Sequence, residues 1–132
     1  MEDLFQHPIF EDLILIPKNC KISSLSSYKS GKIYGIEVRS AVVIKSLDPQ
    51  PGEHILDICC SPGAKLSYIA DQVSYSIANS NYLGHQGLIL GNDINIDRLN
   101  TCNSVLSKYN LDSKVHLVCH DGVTLSIDDI KD

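Results

Sequence analysis

The stretch HILDICCSPGAKL, residues 54–66, decides the fold of this chain. Its first part, HILDI, is a short apolar run of the kind that forms a buried β-strand. The run ends on an acid and leads into two cysteines, a Pro-Gly step and a helical pattern. A strand that turns directly into a helix begins a βαβ unit, so we expect strands and helices to alternate along the chain.

The sequence after residue 66 continues this alternation. It predicts the rest of a first helix, a loop over residues 79–87, a strand LILGND, a second helix that stops at Asn110, and a third strand KVHLVCHD. The two helical stripes consist of Leu66, Ile69, Ala70, Val73 and Ile77, and of Leu99, Cys102, Leu106 and Tyr109. This order predicts an α/β fold with a Rossmann-like parallel sheet and flanking helices.

The part before residue 54 carries weaker patterns. We predict a helix over residues 37–47, ended by the prolines and glycine of DPQPG. Its apolar face is predicted to contain Val38, Ala41, Val42, the Lys45 stem and Leu47. Residues 1–30 are interpreted as an N-terminal extension, with a short strand LILIP stopped by Pro17 and a Ser-rich stretch that is mostly loop or short strand. Residues 31–132 then form the main domain.

Composition sets the broad class. The chain has 132 residues, of which 43% are hydrophobic, enough for one domain with a core. Five irregularly spaced cysteines favour reduced thiols and an intracellular location. No apolar run approaches the roughly 20 residues of a membrane span, and the acidic N-terminus is unlike a signal peptide. The net charge of −5 and the scattered lysines and arginines predict no strongly basic face for a nucleic acid.

All three predicted strands finish on an acid: Asp57, Asp93 and Asp121. A single acid near a helix N-terminus is explained by the helix dipole alone. Three acids in the same topological position favour a ligand site, because the carboxyl ends of parallel strands line the binding crevice.

The residue types in this crevice favour a nucleoside with an amino acid tail. The two oxygens of Asp93 can accept hydrogen bonds from both hydroxyls of a ribose, and Asp121 would lie near an adenine. The loop CCSPGAK has one glycine, Gly63, and lacks the G-x-G-x-x-G pattern that cradles a pyrophosphate. We therefore predict S-adenosylmethionine, its carboxylate near the helix start and Lys65, and its ammonium near Asp57.

The stretch LDPQPGEHILDICCSPGAKL resembles the first motif of the RsmB/Sun-type (NSUN) RNA 5-methylcytosine methyltransferases, an L-D-P-x-P-G-E lead-in followed by D-x-C-A-A-P-G-G-K-T. Cys60 and Ser61 replace the two alanines, Ala64 the second glycine, and Leu66 the threonine. GNDINIDRL and CHDG are similar to the second and third motifs, and the resemblance covers roughly residues 30–125. It implies a cofactor site of Asp57, Cys59, Cys60, Ser61, Pro62, Gly63, Ala64, Lys65, Asp93, Arg98 and Asp121.

The adjacent cysteines, Cys59 and Cys60, admit three interpretations: metal ligands, a reactive thiol site, or small residues of a cofactor loop. A metal needs further ligands, and no C-x-x-C or histidine pair stands at ligand spacing. With the resemblance, both are assigned to the loop beneath the methionine portion. Thr101-Cys102, although similar to the family's catalytic Thr-Cys dipeptide, is predicted to be core. Cys119-His120 is interpreted as strand-end packing, because neighbouring strand residues point to opposite faces.

The resemblance implies an RNA cytosine 5-methyltransferase acting on tRNA or rRNA, but only its cofactor-binding half. The family's two catalytic cysteines follow the fourth and fifth strands, and no residue here matches either, so no catalytic residue is assigned. HILDI would then be an open sheet edge, prone to self-association or to pairing with a missing half. Two alternatives stay open: a non-catalytic cofactor-binding subunit or scaffold, and a methyltransferase for protein or a small molecule. A nicotinamide-dependent dehydrogenase is disfavoured by the loop.

Overall fold

The computed structural model describes residues 5–85, 87–126 and 128. By its internal contacts the chain divides into two compact units, Met1–Gly35 and Ile36–Asp132. None of the helices in the described ranges has the length and the hydrophobicity to cross a membrane.

The first unit contains short elements only. Strands β1 (Phe5–Gln6) and β2 (Ile14–Leu15) pair in antiparallel fashion, with Phe5 opposite Leu15. A 3₁₀ turn (Ile22–Ser24) and helix α1 (Ser26–Lys29) follow. The predicted strand in LILIP is confirmed. The Ser-rich stretch predicted as mostly loop or short strand contains these two short helical turns between loop residues, and Ser24, the last residue of the first turn, donates from its Oγ to Lys21 O at 2.7 Å.

The second unit is a parallel three-stranded sheet with helices, as the alternating pattern predicted. After helix α2 (Val38–Leu47), its elements are β3 (His54–Asp57), α3 (Ala64–Ala78), β4 (Leu88–Asn92), α4 (Ile96–Lys108) and β5 (His116–Val118). The strand order is β3-β4-β5, and both pairs are parallel. The α/β, Rossmann-like fold is therefore confirmed, and parallel strands bring their carboxyl ends to one edge, here called the carboxyl edge.

The ends of α4 show how local sequence sets an element. The side chain of Asn95 caps its start, accepting from the backbone N–H groups of Asp97 at 2.9 Å and Arg98 at 3.1 Å. The helix ends at Lys108 with Tyr109 as its C-cap, and Asn110 follows with a left-handed φ of 57°. Asparagine tolerates this conformation better than most residues, so the predicted stop at Asn110 is confirmed.

The core follows the predicted helical stripes. Leu66, Ile69, Ala70 and Val73 of α3 and Leu99, Cys102 and Leu106 of α4 are all buried, together with Ile89 and Leu90 of β4. Ile77 and Tyr109, at the ends of the stripes, are half-buried. Cys102 is fully buried, so its predicted place in the core is confirmed.

Two packing predictions are wrong. On α2 the buried residues are Ala41 and Ile44, whereas Val38, Val42 and Leu47 are exposed, because one narrow stripe of this short helix packs inward. HILDI is not buried throughout: Ile55 is buried and Leu56 is 46% exposed. Side chains alternate between the two faces of a strand, so Ile55 and Leu56 point to opposite faces, and Leu56 lies on the less covered one. Within the described residues β3 also has a strand neighbour on one side only, which leaves its other edge open.

Candidate functional site

The three strand-end acids occupy the carboxyl edge in different surroundings. Asp57 is the last residue of β3 and is half-buried, Asp93 follows β4 and is buried, and Asp121 lies three residues after β5 and is exposed. Their loops are joined: the Cys60 backbone N–H donates to Asn92 O at 2.8 Å, and Asp93 N–H donates to Val118 O at 3.3 Å. The predicted gathering of these acids at one edge follows from this parallel arrangement.

Asp93 is held in place by a turn and by a cation. Its Oδ1 accepts the Asn95 backbone N–H at 3.1 Å, and its Oδ2 lies 3.3 Å from Arg98 Nη2. The Asn95 N–H and then the Arg98 guanidinium hold the pKa of Asp93 below its usual range, against the opposing effect of burial. With its side chain 3% exposed, Asp93 is an ionised, fixed acceptor at the end of the central strand.

Asp57 and Lys65 form an ion pair across the loop of residues 58–63, here called the β3–α3 loop. Lys65 Nζ lies 2.7 Å from Asp57 Oδ1 and 2.5 Å from Oδ2. The sequence predicted that Lys65 would meet a ligand carboxylate and Asp57 a ligand ammonium. In the structure the two side chains meet each other, so a ligand ammonium at Asp57 would share that carboxylate with Lys65.

The two adjacent cysteines of this loop point in different directions. Cys59 is exposed, whereas Cys60 is 1% exposed and its Sγ lies 3.9 Å from Sγ of Cys102 in α4. The neighbouring Cys102 thiol, and then burial, raise the pKa of Cys60, so it is a protonated packing group. Within the described residues no three His, Cys, Asp or Glu side chains come together to hold a metal. The absence of a metal site remains a prediction.

The rest of the β3–α3 loop is drawn against α4. Gly63 has a left-handed φ of 101°, and a Cβ there would stand 2.9 Å from Cys102 Sγ. Arg98 Nη2 lies 3.4 Å from Ser61 O and so connects this loop to Asp93. Ser61 Oγ is buried near Asp93 but makes no hydrogen bond of good geometry within the described residues. Pro62 is exposed, and Ala64 is half-buried at the first turn of α3.

The last strand end supplies Asp121 and a residue that sequence reasoning missed. Asp121 Oδ1 accepts the Val123 backbone N–H at 2.9 Å, which closes a turn. Asn92 is 1% exposed and bonds to the loops after both β3 and β5. The sequence did contain a signal for Asn92, because it is a polar residue that ends the apolar run LILGN. Cys119 Sγ lies 3.7 Å from Ile94 O, so the reading of Cys119-His120 as strand-end packing is consistent with the structure.

A cleft of about 290 Å³ lies away from these acids. Its walls come from the starts of β4 and β5 and the last turns of α3, including Ser74, Ile77, Lys114 and His116. It is therefore at the opposite end of the strands from the carboxyl edge. Ligands of open α/β sheets bind at the carboxyl ends, so the acids are the better candidate site.

Known proteins that are similar to this chain show the family to which it belongs. The family model described as 16S rRNA methyltransferase RsmB/F matches residues 44–129. The 28S rRNA (cytosine-C(5))-methyltransferase of Mus musculus is 34% identical over 87 residues, 66% of this chain and 10% of that protein. Ribosomal RNA small subunit methyltransferase B of Yersinia pseudotuberculosis serotype O:1b (strain IP 31758) is 32% identical over 65 residues, 49% of this chain and 15% of that protein.

A solved structure shows the same fold. The crystal structure of NSun6 from Pyrococcus horikoshii with SFG superposes with a TM-score of 0.65 at 23% identity, covering 82% of this chain and 24% of that one. This chain therefore spans a small part of the proteins that it matches, 10% and 15% of the two curated relatives. The matched segment contains β3, β4, β5 and all three strand-end acids. The chain belongs to the RsmB/F family of RNA methyltransferases.

Proposed function

We propose that this chain provides the cofactor-binding part of an S-adenosylmethionine-dependent RNA cytosine 5-methyltransferase. The observation that carries the proposal is Asp93, a buried, ionised carboxylate at the end of the central strand, within the segment that matches the family. The two curated relatives are named as ribosomal RNA methyltransferases, and the mouse one as specific for cytosine C5. We infer the same substrate class, ribosomal RNA.

The cofactor would lie along the carboxyl edge. Asp93 would accept the ribose hydroxyls, and Asp121 would lie beside the adenine. The β3–α3 loop, with Cys59, Ser61 and Pro62, and Ala64 at the start of α3 would surround the methionine portion. Ser61 Oγ supports this placement, because a buried hydroxyl without a hydrogen bond of good geometry is expected to find a partner.

The residues of this chain would bind and orient rather than react. The cofactor, when bound, supplies an electrophilic methyl group on a sulfonium. Asp93 and Arg98 would fix the ribose end, and the β3–α3 loop would exclude water from one side of the methionine portion. Cys60 and Cys102 are buried in the core, and the Thr101-Cys102 dipeptide lies within α4 rather than on a loop, so we assign no nucleophile here.

The partners proposed for this chain are inferred from its substrate class and from the open edge of β3. Ribosomal RNA supports an intracellular site of action. The net charge of −5 offers RNA little electrostatic attraction, so most of the RNA contact would come from other parts of the protein. The open edge of β3, with Leu56 in the strand and Ile58 directly after it each 46% exposed, supports pairing with further strands of the same protein or with a second copy.

Calorimetry with S-adenosylhomocysteine tests the cofactor site. Asp93→Ala should weaken binding about 10- to 100-fold, because hydroxyls would lose a buried charged acceptor. Asp97→Ala, which removes an exposed carboxylate four residues further along, is the matched control and should bind like wild type. Equal affinities for wild type and Asp93→Ala would remove Asp93 from the site.

A methyl-transfer assay tests whether this chain binds the cofactor without catalysing methyl transfer. With labelled cofactor and ribosomal RNA, the 132-residue chain should give no turnover, because none of its residues matches the family's catalytic cysteines. Turnover would show that one of Cys59, Cys60, Cys102 or Cys119 is a nucleophile. Methylation of protein instead of RNA would favour the alternative methyltransferase class.

A further inference from the structure

Asn92 is the only polar residue of the apolar run LILGN, and its side chain is almost completely enclosed. It is 1% exposed and is the last residue of β4, directly before Asp93. A buried amide is costly unless its hydrogen-bonding groups are matched. The partners of this amide therefore indicate why the strand ends on asparagine.

The partners of Asn92 lie on the two neighbouring loops. Its Nδ2 donates to Ile58 O at 3.1 Å and to His120 O at 3.0 Å, and its Oδ1 accepts the His120 backbone N–H at 2.9 Å. Its own backbone O accepts the Cys60 N–H at 2.8 Å. Both amide hydrogens are used, and the reverse orientation of the amide would set its NH₂ group against the His120 N–H.

The loop after β5 also packs closely against the side chain of Ile58. A Cβ on Gly122 would overlap Cγ2 of Ile58 and would lie 3.7 Å from Asn92 Nδ2. The loop after β5 thus passes directly over the loop after β3, with Asn92 beneath both. A side chain at position 122 would therefore require the Ile58 side chain to move.

We propose that Asn92 is a positioning residue that fixes the three strand-end acids relative to one another. Each acid is next in sequence to Asn92 or to a residue that its side chain hydrogen-bonds. Asp57 precedes Ile58, Asp121 follows His120, and Asp93 follows Asn92 itself. One side chain therefore sets the spacing of the three acids along the carboxyl edge, at which the proposed cofactor binds. The consequence for the cofactor rests on the proposed function, whereas the consequence for the loops does not.

Neither a carboxylate nor an apolar group can replace this amide. An aspartate at position 92 keeps the size and the acceptor for His120 N–H, but sets a negative charge against the carbonyl oxygens of Ile58 and His120. An apolar residue leaves those carbonyls and one N–H unmatched. In either case the two loops lose their common anchor, while the helices keep their own contacts.

Amide hydrogen exchange tests the loop anchor without any ligand. Asn92→Asp should speed exchange at residues 58–61 and 119–123 by about tenfold or more, with little change in the middle of α3 and α4. Asn103→Asp, the same substitution at an exposed position of α4, is the control and should change neither region. If Asn92→Asp does not fold, Asn92→Thr, which keeps a hydroxyl and suits a strand, is measured in the same way. Unchanged exchange in both loops, or a uniform change along the whole chain, would overturn the proposal.

Binding of S-adenosylhomocysteine tests the consequence for the site. The Asn92 variant should bind about tenfold or more weakly than wild type after correction for the folded fraction. Val73→Ala, which makes a cavity in the core of α3 away from the loops, should keep the wild-type affinity after the same correction. Wild-type affinity in the Asn92 variant would overturn the positioning role. Wild-type protein that does not bind the ligand would contradict the proposed function, and the exchange result would still decide the loop anchor.

Discussion

Replacing Gly63 by alanine separates two reasons why the β3–α3 loop requires glycine. The first is conformational, because the residue has a φ of 101°, where L-residues with a side chain are strained. The second is steric, because the new Cβ would stand 2.9 Å from Cys102 Sγ. Cys102 is fully buried in α4, so it cannot move away freely.

The two effects have comparable expected sizes. A left-handed conformation costs a residue with a Cβ roughly 1–2 kcal/mol. Forcing an atom into a packed core costs about 1–3 kcal/mol. We therefore expect Gly63→Ala to lower the free energy of unfolding by about 2–5 kcal/mol, a large part of the typical stability of a domain.

A double-mutant cycle with Cys102→Ala isolates the steric part. Removing Sγ should relieve the close contact, so Gly63→Ala in the Cys102→Ala background should cost only the conformational 1–2 kcal/mol, roughly. Urea unfolding followed by far-UV circular dichroism gives the four free energies. Gly52→Ala is the control: Gly52 also has a left-handed φ, of 89°, and the contact of its Cβ would be with Tyr82, so its cost should not depend on residue 102. Strict additivity of Gly63→Ala and Cys102→Ala would refute the close packing of the loop against α4.

Three further predictions concern charge, metal and the sheet edge. Because the folded protein holds the pKa of Asp93 below its ordinary value of 3.8, the carboxylate adds stability above that pH, which is lost on acidification. The stability difference between wild type and Asp93→Asn in urea should therefore shrink from about pH 6 to about pH 3, and a constant difference would contradict it. Cys60→Ala should fold with a loss of about 1–2 kcal/mol, and elemental analysis of wild type should find no stoichiometric metal. In sedimentation experiments the apparent mass of wild type should rise with concentration, and Leu56→Lys should abolish this rise, because a charge on an edge strand opposes pairing. Association that is unchanged by the substitution would show that another surface mediates it.

The sequence was sufficient for features that depend on local pattern. The stripe from Leu99 to Tyr109 and the stop at Asn110 follow from helical periodicity and from backbone preference, both of which act within a few residues. The common edge of the three acids follows from strand topology, because parallel strands point the same way.

Features that depend on contacts between distant residues were not predicted. The approach of Cys60 to Cys102 joins residues 42 positions apart, and the hydrogen bonds of Asn92 reach 34 positions back and 28 forward. No local pattern encodes which loop a buried amide will meet. The apolar run HILDI by itself favoured a buried strand and missed the exposure of Leu56, whereas the resemblance had already implied an open sheet edge there.

The charges at the carboxyl edge divide the proposed cofactor site into two parts with different requirements. Asp93 is already balanced by Arg98 and fixed by the Asn95 N–H, and ribose hydroxyls are neutral donors. They can therefore add to this carboxylate without displacing its cation. Asp57 is different, because an ammonium group is charged and Lys65 already occupies both carboxylate oxygens. The ribose end is thus preorganised, whereas the amino acid end requires Lys65 to shift or to share, and a preorganised contact contributes more of its interaction energy to affinity.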